Sequence, residues 1–179
     1  MRNAQQVPHI EQTPHIETVS SGIMAGAAGG LAEVAWVTLY AEATGGNAAV
    51  LARGVTSAAG VGALLPQSPV ALGITVHMTL AVSLGVALAY AWRTLRTRKF
   101  AATGPYPVML AALAGVWATN FFVILPIVSP AFIHLVPYAV SLASKLLFGL
   151  AAAAALQWRL NCEPVLTMNP ISLRCDKGR

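Results

Sequence analysis

Four long apolar runs leave this chain few ways to fold. They cover residues 20–41, 70–92, 107–128 and 136–158. A hydrocarbon layer about 30 Å thick needs roughly 20 mostly apolar residues at about 1.5 Å rise each. No water is present there to satisfy free N–H and C=O groups, so an unclosed segment crosses it only as a helix. Each run predicts one such helix, and the expected fold class is all-α: an integral membrane helical bundle with four transmembrane helices. Composition agrees, because only 9% of the 179 residues are charged and 56% are apolar, whereas an ordinary soluble domain carries roughly 25% charged residues. So few charges cannot cover a water-facing surface. Soluble enzyme folds and DNA-binding modules are excluded, and no nucleic-acid partner is expected. Cys162 and Cys175 are the only cysteines, too few for a disulfide-stapled secreted scaffold.

A fifth stretch, residues 48–65, is poorer in apolar residues and holds Arg53, Gly54, Thr56, Ser57, Gly60 and Gly62. It reads as a short re-entrant or interfacial helix, with a full crossing as the alternative. The division that follows is a flexible N-terminal tail over 1–18, the bundle over 19–159 and a C-terminal cytoplasmic tail over 160–179. The first run begins after about nineteen polar residues, too late for a cleaved secretory signal, although Ala41-Glu42-Ala43 imitates a small-residue cleavage site. In the N-terminal tail Pro8-His9-Ile10-Glu11 and Pro14-His15-Ile16-Glu17 form a tandem repeat. Two imidazoles and two carboxylates suit a metal, but no scaffold fixes them, and a solvated tail is the simpler expectation.

Orientation follows from Lys and Arg beside the span ends, not from the net charge of +5. Arg93, Arg96, Arg98 and Lys99 follow the second run, and Arg159, Arg174, Lys177 and Arg179 follow the last. Both places are expected in the cytoplasm, which keeps Cys162 and Cys175 reduced. The connections near Pro66–Pro69 and Ser129–His134 carry no Lys or Arg and belong on the other side. Tyr90, Trp92, Tyr106 and Trp158 then mark the inner interface, and Tyr40, Phe132 and Tyr138 the outer one. Lipid is one expected partner, and the basic run from Arg93 to Lys99 suits anionic headgroups.

The interval from Ala43 through Asn161 contains no Asp or Glu, yet Lys145 sits in the middle of a span. An ionised Lys at a helix centre costs about 2.5–3.5 kcal/mol on insertion scales, so it is expected to face the bundle interior and to have a partner. Glu33 is the only acid inside a run. Counted from the outer ends, Glu33 lies roughly 12 Å deep, Lys145 roughly 13 Å, His77 about 10 Å and Asn120 about 12 Å. These four residues therefore predict one polar layer. Small residues support their inward placement. Gly73, His77, Ala81, Gly85 and Ala89 form an i, i+4 stripe; Ser141, Lys145 and Gly149 form another; Gly22, Gly26 and Gly30 double the small-xxx-small pattern in the first run.

Two readings of the layer follow. In one it is a hydrogen-bonded knot that fixes helix register. In the other it lines a water-filled cavity and handles a proton, an ion or a small anion, with Lys145 as the site, Glu33 as counter-charge and His77 as the titrating group. A secondary transporter usually shows repeated halves and broken helices; Pro126 and Pro137 interrupt the last two runs, but the halves do not repeat. Haem would need a second axial ligand at the depth of His77, and His134 lies in a connection. No cofactor and no metal site are expected. Neither a nucleophile elbow nor paired carboxylates occur, and the chain is not expected to be an enzyme.

The Val76-His77-Met78-Thr79-Leu80 segment, Asn120-Phe121-Phe122-Val123-Ile124-Leu125-Pro126 and Ser144-Lys145-Leu146-Leu147-Phe148-Gly149 resemble small four-helix bacterial inner-membrane proteins of the YagU-like kind. The likeness spans roughly residues 20–158. It implies a bacterial membrane bundle of unassigned biochemistry. Such proteins carry a His where this chain has Lys145, and a protonated ammonium cannot ligate, so no metal or haem role transfers. The expected function is a structural or accessory role in the cell inner membrane, as a subunit of a larger membrane complex or as a homo-oligomer docked through the glycine stripe of the first helix. The alternative is a small secondary transporter or channel.

Overall fold

The structure, a computed structural model, describes residues 14–96 and 104–161. Helix α1 spans Pro14–Ala43, α2 Ala48–Ala58, α3 Pro69–Arg96, α4 Pro105–Val128 and α5 Tyr138–Asn161, with a 3₁₀ turn at Pro130–His134. Helices α1, α3, α4 and α5 are long and apolar enough to cross a membrane. The chain is an all-α helical bundle.

The first helix starts earlier than expected. Pro14 opens α1 where a missing N–H costs nothing, and Glu17 in the first turn complements the helix dipole. Residues 14–18 are therefore helical, not tail. The second Pro-His-Ile-Glu repeat is the first turn of α1; the first repeat, Arg98, Lys99, Cys162 and Cys175 lie outside the described residues.

Gly45, at φ +68°, lets the chain turn after α1, and Asn47 caps α2 by accepting from the Ala49 N–H at 2.8 Å. With 11 residues, α2 is about 16 Å long. That is half a membrane thickness, which rules out the full crossing. Thr56, buried, ties α2 to α3: its hydroxyl lies 2.9 Å from the Pro69 carbonyl and 3.0 Å from that of Ala52. A Cβ on Gly73 would collide with the Ala52 backbone, so only glycine admits α2 this close to α3.

Contacts fix the helix directions. Gly22 faces Val86 and Gly30 faces Met78, so α1 and α3 are antiparallel. Trp36 donates to the Val140 carbonyl at 3.1 Å and Gly29 meets Phe148, so α1 and α5 are antiparallel too. Trp117 donates to the Ser141 hydroxyl at 2.9 Å while Met109 meets Gly149, which sets α4 antiparallel to α5. Helix α1 packs most widely against α3 and α5, α4 packs on α5, and α3 and α4 touch sparsely. Arg93, Arg96 and Arg159 gather at one end; α2 and the 3₁₀ turn close the other.

The glycine stripe of α1 is filled by α3 of the same chain. Cβ atoms on Gly22, Gly26 or Gly30 would meet Val86, Val82 and Ala81 at 2.5–2.8 Å, closer than real side chains approach. A second copy would have to dock elsewhere. The remaining surface is apolar, with Leu31, Leu39, Leu80, Phe122 and Ile127 all more than 60% exposed, a surface suited to lipid and not to water. In α4 the segment Asn120–Ile124 is a π-helix, and the Leu125 N–H reaches the Asn120 carbonyl. Pro126 explains the widening, since it lacks an N–H and its ring would press on the carbonyl four residues back.

Candidate functional site

Burial forces the ionisable groups of the spans together. Glu33, on α1, is 3% exposed. It projects between α3 and α5 one turn beyond Gly29, where Phe148 lies flat against the backbone. Lys145 of α5 places Nζ 2.7 Å from Glu33 Oε1 and 2.9 Å from Oε2. Ser144 donates from Oγ to Oε1 at 3.1 Å. Both carboxylate oxygens are thus engaged, as a charge removed from water requires.

His77 of α3 is the third member, with Nε2 3.7 Å from Glu33 Oε2. That is beyond a hydrogen bond. Nε2 is buried and has no hydrogen-bond partner among the described residues, and the Gly30 backbone is the ring's other polar neighbour. Three of the four residues of the expected layer therefore converge. Asn120 does not join them. It starts the π-segment of α4, is half-buried, and makes no hydrogen bond to Glu33, His77 or Lys145 among the described residues. Its depth suits the layer, but α4 packs chiefly on α5 and only sparsely on the rest of the bundle. Ser144 was not among the expected residues. The signal for it is the carboxylate's own demand: Glu33 needs more donors than one ammonium supplies, and Ser144 adjoins Lys145 in sequence.

These side chains floor a cavity of about 270 Å³. Its walls are Val34, Val37 and Thr38 of α1, Val70, Gly73 and Ile74 of α3, and Ser141 and Ser144 of α5. Ala49, Ala52 and Val55 of α2 cover it, with Phe121, Phe132 and Val136 at the side. The lining is overwhelmingly apolar outside the floor. No lining residue lies on the basic side of Glu33, His77 and Lys145. On that side Ala25, Met109, Leu113, Phe148, Ala152 and Ala153 are fully or almost fully buried in one cluster among the described residues. Phe148 seals the floor, its ring centroid 5.9 Å from Lys145 Nζ. Among the described residues, the cavity lining stops at this floor on the basic side.

An aromatic group braces the wall. Trp117 stacks on Phe121 at 5.6 Å and meets Tyr138 edge-on at 6.3 Å, which fixes α4 against the start of α5. His134 is exposed in the 3₁₀ turn and does not line the cavity. Among the described residues no three His, Cys, Asp or Glu side chains cluster as metal ligands would. Comparison with known protein families, with curated proteins and with solved structures returns no match for this chain.

Proposed function

We propose that this chain is a multi-pass protein of a bacterial inner membrane with an accessory role: it holds a small molecule in the outer half of the bilayer and passes it to, or senses it for, a larger membrane complex. The observation that carries this reading is the cavity, apolar on its walls and ionisable only at its floor. A concave apolar site with few convergent polar groups is the usual form of a small-molecule pocket. The cytoplasmic side is the end where Arg93, Arg96 and Arg159 gather, so the cavity opens toward the periplasm. The Glu33–Lys145 pair serves twice, locking α1 to α5 and supplying the polar base of the pocket.

The second reading, a small transporter or channel for a proton, an ion or a small anion, draws on the same mid-membrane ionisable groups. Phe148 and the cluster around it oppose a continuous path. The test of the first reading is chemical extraction of the purified chain. Wild-type protein is expected to release a small molecule that Val37→Phe, which fills the cavity wall, does not carry; equal release from both variants contradicts the reading. Proteoliposomes separate the second, which requires pH-dependent solute flux that Glu33→Gln with Lys145→Met abolishes.

A further inference from the structure

The floor of the cavity has hydrogen-bonding capacity left over. An ammonium carries three N–H donors, and the polar partners of Lys145 among the described residues are the two Glu33 oxygens. One N–H is unspent. His77 Nε2 is likewise buried with no hydrogen-bond partner among the described residues. In the neutral imidazole that nitrogen is either a donor or an acceptor, depending on the tautomer. The charges, by contrast, are already balanced: one carboxylate opposes one ammonium at 2.7 Å.

A ligand for this floor must therefore be neutral, must accept from Lys145, and must satisfy Nε2 in either tautomer. A carboxylate would sit beside Glu33 and meet like charge. An ammonium would meet Lys145. A pure hydrocarbon would leave both groups unpaired, and an unpaired buried polar group is costly. A hydroxyl meets every condition, because its oxygen accepts twice while its hydrogen donates once. The walls add that the rest of the molecule is apolar, and a cavity of about 270 Å³ suits a small molecule.

Building on the pocket reading above, we infer that the cavity binds a small neutral alcohol or phenol, its hydroxyl set between Lys145 Nζ and His77 Nε2 and its apolar body against Val37, Val55 and Ile74. Ala49 and Ala52 of α2 lie over it on the side away from the floor.

The experiment is photolabelling of the full chain in liposomes with a diazirine-bearing octanol, labelled residues being located by mass spectrometry. Label is expected on the cavity walls at Val55 and Ile74. 1-Octanol is expected to compete about tenfold better than octane or octanoate at equal membrane concentration, the difference that one or two net hydrogen bonds make. His77→Phe, which keeps a ring but removes Nε2, is expected to shrink the advantage of octanol over octane without erasing it, because Lys145 still donates, while Val37→Phe removes cavity label altogether. Cavity label competed equally by octane, or better by octanoate, overturns the hydroxyl assignment and leaves the pocket standing. Label confined to lipid-facing surface overturns the pocket reading itself.

Discussion

At the scale of single residues the bundle turns on Glu33. Its carboxylate, 3% exposed, is held by Lys145 and Ser144, and removing one partner of a buried pair costs about 3–5 kcal/mol because the other charge is stranded. Glu33→Gln or Lys145→Met alone is expected to destabilise the protein by about that amount. Reversible unfolding in mixed detergent micelles measures it. The double variant, Glu33→Gln with Lys145→Met, leaves no stranded charge and is expected to recover about half of that loss or more, a coupling that a double-mutant cycle reads directly. Additive losses would mean that the pair does not interact. Glu33 and Lys145 were legible in the sequence because an apolar span tolerates an ion only with a counter-ion. His77 was legible by depth. Asn120 shows the limit of counting depth, which fixes height along a helix and not the direction in which a side chain points or the neighbour its helix chooses.

At the scale of elements, the α1–α3 contact is backbone against backbone. A Cβ on Gly85 would strike the Gly26 main chain, which cannot yield as a flexible side chain can. Gly85→Ala is expected to cost about 1–3 kcal/mol, the usual penalty for overpacking. Gly115 of α4 provides the control, since nothing lies within 4 Å of a Cβ there. Gly115→Ala is expected to be neutral or to gain up to about 1 kcal/mol from helix propensity. The same unfolding assay distinguishes the two, and equal effects would refute the close approach. The small-residue stripes were readable as spacing, but the partner of each was not. Spacing shows that a helix is narrow on one face, and only the packed chain shows that α3 fills the stripe of α1. Helix α2 was visible as a short polar-tinged segment; its role as the cover of a cavity depends on Gly73 of α3 admitting it closely and on its own Thr56 reaching the Pro69 carbonyl.

The whole molecule has a polarity of ends. Four antiparallel spans place Arg93, Arg96 and Arg159 together, and α2 with the 3₁₀ turn opposite them. With Cys162 and Cys175 replaced by Ser, a single cysteine at Gln67 is expected to react with a membrane-impermeant maleimide on intact cells, and one at Arg96 only after permeabilisation. The reverse pattern would invert the topology. The count of spans and this polarity could be drawn from hydropathy and Lys/Arg placement alone, because the bilayer imposes both. The cavity could not, since an unfilled volume arises from the mismatch of several packed surfaces and leaves no mark on any one of them. The central claim is that the pocket stops at Glu33, His77 and Lys145. Single cysteines at Val37, above that floor, and at Ala152, below it, test this most directly with a small methanethiosulfonate reagent applied from the periplasmic side. The account predicts rapid modification of Val37→Cys and none of Ala152→Cys; modification of both would reveal a path through the bundle, and modification of neither would show that no pocket opens to that face.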